Sequence, residues 1–125
     1  MKKTLIMATA ALALASAAAL AADAGKAAGG KAYGEKLYTA RCLKCHGAAG
    51  DGTGKLAALL DPKPTNFTDA AWQAKMTDAD VTEAITHGGK SKKLKIGYKM
   101  PAFGEKLKPA DIQALVTKVR SFAKK

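Results

Sequence analysis

At 125 residues, with 48% hydrophobic and 6% aromatic side chains, the chain has the size of one small domain and not of two. Lys and Arg number 21 against 10 Asp and Glu, a formal charge of +11, so acidic partners are expected. The same excess would suit nucleic acid, but no helix-turn-helix pattern, basic zipper or aromatic RNA signature accompanies it, and no nucleic-acid partner is expected.

Residues 1–22 read as a signal peptide. Lys2 and Lys3 precede an uncharged apolar run from Leu5 to Leu20, and small residues follow, with cleavage expected after Ala21 or Ala22. An uncleaved membrane anchor is the competing reading, since the run approaches the length that spans a bilayer. Its alanine content and small-residue exit favour removal, with no stable membrane insertion afterwards. Export of this kind points to a periplasm. Removal takes two Lys and no acid and leaves a charge of +9.

Residues 23–31 are small and polar and are expected to be flexible, with the folded domain over 32–125. A helix is predicted from about Ala32 to Arg41, where Tyr33 and Leu37 stand one turn apart, and it runs into Cys42-Leu43-Lys44-Cys45-His46. Gly47 to Gly54 holds four glycines and Asp61-Pro62-Lys63-Pro64 two prolines, so this stretch is loop. A short helical turn is predicted around Asp69–Gln73. Thr77 reads as an N-cap followed by acids, Val81, Ala84 and Ile85 form an apolar stripe, and Gly88-Gly89 ends that helix. Lys90 to Lys108 is irregular and basic, with seven Lys against Glu105 alone. Pro109 then opens a last helix whose apolar face is Ile112, Leu115, Val116, Val119 and Phe122. No segment alternates with a period of two, so the fold class is all-α.

Cys42-x-x-Cys45-His46 has the form of a c-type haem attachment site. On a helical turn, positions i, i+3 and i+4 share a face. Both sulfurs can therefore bond the two vinyl groups of one haem while the imidazole meets its iron. Three other readings compete. A thioredoxin-type CxxC needs a βαβ setting that an all-α chain lacks. A zinc site from Cys42, Cys45, His46 and His87 lacks a second paired ligand motif. A plain structural disulfide is the third. The Gly50-x-Gly52-x-Gly54 run suggests a phosphate cradle but lacks the Lys-Ser/Thr ending of a P-loop.

In sequence order the mature chain carries Gly34-x-x-x-Tyr38, the Cys42-x-x-Cys45-His46-Gly47 motif, the glycine loop and a Pro-bearing loop with Phe67. The Thr77-to-Gly88 helix, Met100-Pro101-x-Phe103-Gly104 and the terminal helix from Leu107 to Phe122 follow. In this series it resembles the class I bacterial cytochromes c, and the likeness covers residues 34–122. The resemblance implies a small cytochrome c fold, with N- and C-terminal helices crossing around one covalently bound haem c. It implies a monomeric electron carrier rather than an enzyme. Gly34 and Tyr38 should pack on Leu115 and Val119, although Lys118 stands where many relatives have an aromatic.

Three residues could supply the second axial ligand: Met76, Met100 and His87. Met76 reads equally as packing beside a helix cap, and His87 as a helix C-terminal cation. Met100 lies in a long loop before Pro101, the context in which the family places its distal methionine. It is the expected ligand with His46, Cys42 and Cys45 being the thioether sites. In the family a proline carbonyl accepts the free imidazole N–H, which makes Pro62 or Pro64 the candidate. Trp72 and Tyr98 carry donors that could reach a haem propionate or the methionine sulfur. Lys90, Lys92, Lys93, Lys95 and Lys99 are expected to form a docking surface for acidic redox partners. The function expected is outer-sphere transfer of single electrons between such partners. The alternatives are a dedicated haem subunit of a periplasmic oxidoreductase complex or a CxxC thiol–disulfide protein.

Overall fold

The computed structural model describes residues 30–94 and 97–124. The expected signal peptide, residues 23–29, Lys95, Ile96 and Lys125 lie outside the described residues. In chain order the helices are α1 (Gly30–Arg41), α2 (Leu43–His46), α3 (Ala70–Lys75), α4 (Asp78–His87) and α5 (Pro109–Ser121). Short 3-10 turns occupy Ala57–Leu59 and Gly88–Lys90. The described residues contain no strand, and no helix among them is long and apolar enough to cross a membrane. The first helix begins at Gly30, two residues ahead of the predicted start, and the 3-10 turn at Ala57 lies within the stretch read as plain loop.

Helices α3 and α4 start where a side chain can serve their unpaired N–H groups. The Asp69 carboxylate accepts from the N–H groups of Ala71 and Trp72. Thr77 Oγ1 accepts from Asp80 N at 3.1 Å while Asp80 Oδ2 accepts from Thr77 N at 3.0 Å, a reciprocal capping box. Pro109 occupies the first turn of α5, and Lys108 N donates to Asp111 Oδ2 at 3.0 Å. The predicted stop at Gly88 is the observed C-cap of α4.

The crossing of α1 and α5 closes the domain. A Cβ at Gly34 would stand 2.7 Å from the Ala114 carbonyl oxygen, so only glycine lets the helices approach this closely. The atoms nearest that position all belong to Ala114. One helical turn on, Tyr38 is 1% exposed and shares the core with Leu115, at 0%, and Val119. Burying one such leucine contributes roughly 1.5–3 kcal/mol. Tyr33 OH donates to Asp111 Oδ1 at 2.8 Å across the same crossing.

Lys118 packs against the aromatic rings of this crossing. Its ammonium lies 4.4 Å from the Phe122 ring centroid and 5.5 Å from that of Tyr38, and it pairs with Glu35 Oε2 at 2.7 Å. The stem covers the rings while the charge is met at the surface. Phe122 tilts against Tyr38 with centroids 5.2 Å apart and fills the space over Gly50.

A second clasp ties α3 to α5. Arg120 donates to Asp78 Oδ1 at 2.7 Å, to Gln73 O at 3.0 Å, to Gln73 Oε1 at 2.8 Å and to the Met76 carbonyl. Gln73 in turn donates to the carbonyls of Phe67 and Val119. Cys42, Leu43, Trp72, Met76 and Met100 remain only partly buried at the edge of the resulting core.

Candidate functional site

Cys42 N donates to Tyr38 O at 2.8 Å and His46 N to Cys42 O at 2.9 Å, so the attachment motif continues from α1 as a single helical turn. That geometry sets Cys42, Cys45 and His46 on one face. The glycine loop then folds back beneath the turn. The N–H groups of Leu56, Gly54 and Gly52 donate to the carbonyls of Lys44, Cys45 and His46 at 2.8, 3.0 and 2.9 Å. These are the carbonyls a helix end leaves unpaired, so the loop serves as a backbone cap for the motif. Gly52 has φ +84°, and a Cβ there would be 2.6 Å from the Pro64 carbonyl oxygen.

His46 Nδ1 lies 3.1 Å from the Thr65 carbonyl oxygen, neither Pro62 nor Pro64 being the acceptor. The Pro64 carbonyl is instead occupied in facing Gly52. Because a carbonyl can only accept, Nδ1 carries the proton and Nε2 keeps a free lone pair. The imidazole stacks on Phe67, with centroids 4.4 Å apart and planes 17° from parallel. Phe67 is itself wedged against Trp72 and fixed by Phe67 N donating to Gly50 O at 2.7 Å. Burial pushes the His46 pKa below its usual value, although the Thr65 bond opposes this, and both features suit a neutral ligand imidazole. Cys42, as a thiol, is pushed up to about 12, first by burial and then by the neighbouring Cys45 charge, while Arg41 acts in the opposite direction. A dithiol redox centre needs the reverse shift.

A cleft enclosing about 540 Å³ is lined by Cys42, Cys45 and His46 together with Tyr98, Met100 and Phe103. Leu60, Pro62, Pro64 and Thr65 supply more of its lining, as do Arg41, Leu94, Lys99 and Pro101. Its lining is mostly apolar, as at cofactor sites. An adjoining hollow of about 350 Å³ shares His46, Thr65, Leu94 and Met100 with it and adds Trp72 and Met76.

The Met100 loop is strapped to α4. Gly89 N donates to Met100 O at 2.8 Å, Phe103 N to Ile85 O at 3.0 Å and Gly104 N to Thr86 O at 3.0 Å. Met100 therefore borders both hollows, Met76 only the smaller, and His87 is exposed and lines neither. Tyr98 lines the main cleft and Trp72 the smaller one. Among the described residues no three His, Cys, Asp or Glu gather as a metal cage, so His87 does not complete a zinc site with the motif.

The basic loop divides into two parts. Lys90, Lys92 and Lys99 are exposed, and Lys99 lines the cleft. Lys93 instead pairs with Asp80 Oδ1 at 2.9 Å, and the buried Ser91 hydroxyl bonds Glu83, pinning the loop to α4. Arg41, which the sequence reading did not single out, is a further cation on the cleft; its one signal is its place directly before Cys42.

The sequence pattern described as Cytochrome c matches residues 31–122. The KustC0563 c-type cytochrome has a similar structure, with a TM-score of 0.59 and 40% identity, covering 73% of this chain and 98% of that one. A point mutant of the same cytochrome matches with a TM-score of 0.57 and 38% identity, over 71% of this chain and 96% of that one. The cbb3-type cytochrome c oxidase subunit FixP of Azorhizobium caulinodans is 32% identical over 84 residues, which are 67% of this chain. The match spans 24% of that relative's length.

Proposed function

Because the chain belongs to the cytochrome c family, an electron-transfer family with one covalent haem c per CxxCH domain, we propose that it passes single electrons between redox proteins. In this reading Cys42 and Cys45 would hold the haem by thioether bonds, and His46 and Met100 would ligate its iron. The observation that carries it is the convergence of two thiols, a neutral imidazole and a thioether on one apolar cleft. The donor set fits the group. Two thiols one helical turn apart suit two vinyl carbons, and Nε2 is the free imidazole nitrogen.

When bound, the haem supplies a one-electron Fe(III)/Fe(II) couple. The chain's own residues do the rest. The Thr65 carbonyl and the Phe67 ring hold His46 in one orientation, and the straps to α4 hold Met100. Iron ligated by both residues would take no substrate, so the reading is of a carrier rather than an enzyme. A soft thioether ligand favours Fe(II) and a positive potential. Lys90, Lys92, Lys99 and Arg41 attract acidic partners toward the cleft, and the exported location follows from the expected signal peptide.

The near-complete coverage of the KustC0563 c-type cytochrome supports a free-standing carrier of one domain. A second reading, a haem subunit of an oxidoreductase complex, is favoured by the FixP match, since that relative is named as an oxidase subunit. Co-purification from native membranes and soluble extract separates the two. The haem assignment is tested by acid–acetone extraction: colour should stay with the polypeptide, and His46→Ala should not accumulate as holoprotein. Extractable haem, or normal yields from His46→Ala, would overturn it.

A further inference from the structure

The described residues expose only two large hydrophobic side chains, and they share one turn: Leu56 at 41% and Leu59 at 76%. Isolated exposed leucines are ordinary, but a paired and rigidly held display is not. Here the turn is fixed at three points. Lys63 Nζ donates to Ala57 O at 2.9 Å and Ala58 O at 3.3 Å, Ala57 is 7% exposed, and Leu56 N donates to Lys44 O at 2.8 Å within the attachment motif. Leu60, the next residue, already lines the cleft.

Resting on the electron-carrier reading above, we propose that the Leu56–Leu59 knuckle is the apolar centre of the docking surface, and that its occupant is an acidic redox protein with an apolar contact patch. Charge complementarity selects that occupant. Lys44, Lys55 and Lys63 are exposed around the knuckle, with Asp61 the one acid between residues 53 and 65. A second copy of the mature chain, carrying +9 once Lys2 and Lys3 are removed, would be repelled at this face. The leucines add short-range contact that long-range steering cannot give, and they place the partner beside the cleft.

The test uses the reduced holoprotein mixed with an oxidised acidic blue-copper protein, one electron passing to the cupric probe. Leu59→Ser should slow the second-order rate about fivefold and Leu56→Ser/Leu59→Ser about tenfold, at low and high salt alike, because apolar contact is not screened. The visible spectrum and the rate with hexacyanoferrate(III), an anion without an apolar face, should stay at wild-type values. An unchanged rate with the copper protein overturns the proposal, as does an equal loss with hexacyanoferrate. Binding of the wild type to phosphatidylglycerol vesicles that the double variant loses, with its copper-protein rate unchanged, would assign the knuckle to a membrane instead and also overturn it. Absence of electron exchange by the wild type with either probe would count against the carrier reading itself, whereas a failed knuckle leaves that exchange intact.

Discussion

The His46 imidazole hangs from the Thr65 carbonyl oxygen, 3.1 Å away, and Thr65 follows directly on the proline whose own carbonyl faces Gly52. The orientation of the proposed ligand therefore depends on a glycine that does not itself line the cleft. Gly52→Ala must adopt φ near +84° with a methyl group 2.6 Å from the Pro64 oxygen, which displaces the Pro64–Thr65 segment. A fall in Tm of about 5–10 °C is expected, with a rise in midpoint potential on the order of tens of millivolts as the imidazole loses electron density. Unchanged values for both would separate His46 from this loop.

Met100→Ala should abolish the weak long-wavelength charge-transfer band of ferric thioether-ligated haem and lower the potential by on the order of 0.1–0.3 V. Met76→Ala should leave the band in place and cost only packing, about 1–3 kcal/mol for a partly buried side chain. Loss of the band in the second variant alone would move the ligand role to Met76.

Electrostatic steering should reside in the unpaired part of the basic loop. Lys90→Glu/Lys92→Glu is expected to slow association with an acidic partner roughly tenfold at low salt, and much less above physiological ionic strength. Lys31→Glu/Lys124→Glu makes the same change in net charge at positions that do not line the cleft. Equal slowing by both pairs would show that net charge acts without a docking site.

Asp80 joins the N-cap of α4 to Lys93. The Lys93 ammonium, followed by the Thr77 backbone and hydroxyl, holds its carboxyl at about 2, below the ordinary value of 3.8. A depressed folded-state pKa stabilises the native form above the unfolded value, and that stabilisation is lost as pH falls through the folded value. Asp80→Asn should therefore lower Tm by about 2–5 °C at pH 7, and the difference from wild type should shrink between pH 4 and pH 2. A constant difference across that window would leave the charge without a role.

Much of this architecture is legible because it is local. The Thr77-x-x-Asp80 cap, the Pro109 start and the stripe of Ile112, Leu115, Val116 and Val119 are each written within one or two turns of chain. The Cys42–His46 spacing likewise fixes its own geometry. The features that were missed depend on backbone atoms or on distant partners. A carbonyl acceptor carries no side-chain signature, so Thr65 could not be told from Pro62 or Pro64. Lys93 reads as one of a run of lysines until α4 brings Asp80 to it. The glycine loop shows its capping task only when its N–H groups are seen against the carbonyls of residues 44–46.

The crossing of α1 and α5 joins groups far apart in sequence, Tyr33 and Asp111 being 78 residues distant. Synthesis runs from the first to the last, so the attachment turn exists well before the helix that covers its flank. Tyr38 has no Leu115 or Val119 to bury it until α5 is delivered, and the entropy of closing that loop is repaid only by the completed crossing. A haem joined to Cys42 and Cys45 before α5 is delivered would meet an open chain, and the domain would then shut over it. A chain ending before Pro109 would be expected to accept haem and yet remain ajar, sensitive to proteases along α1.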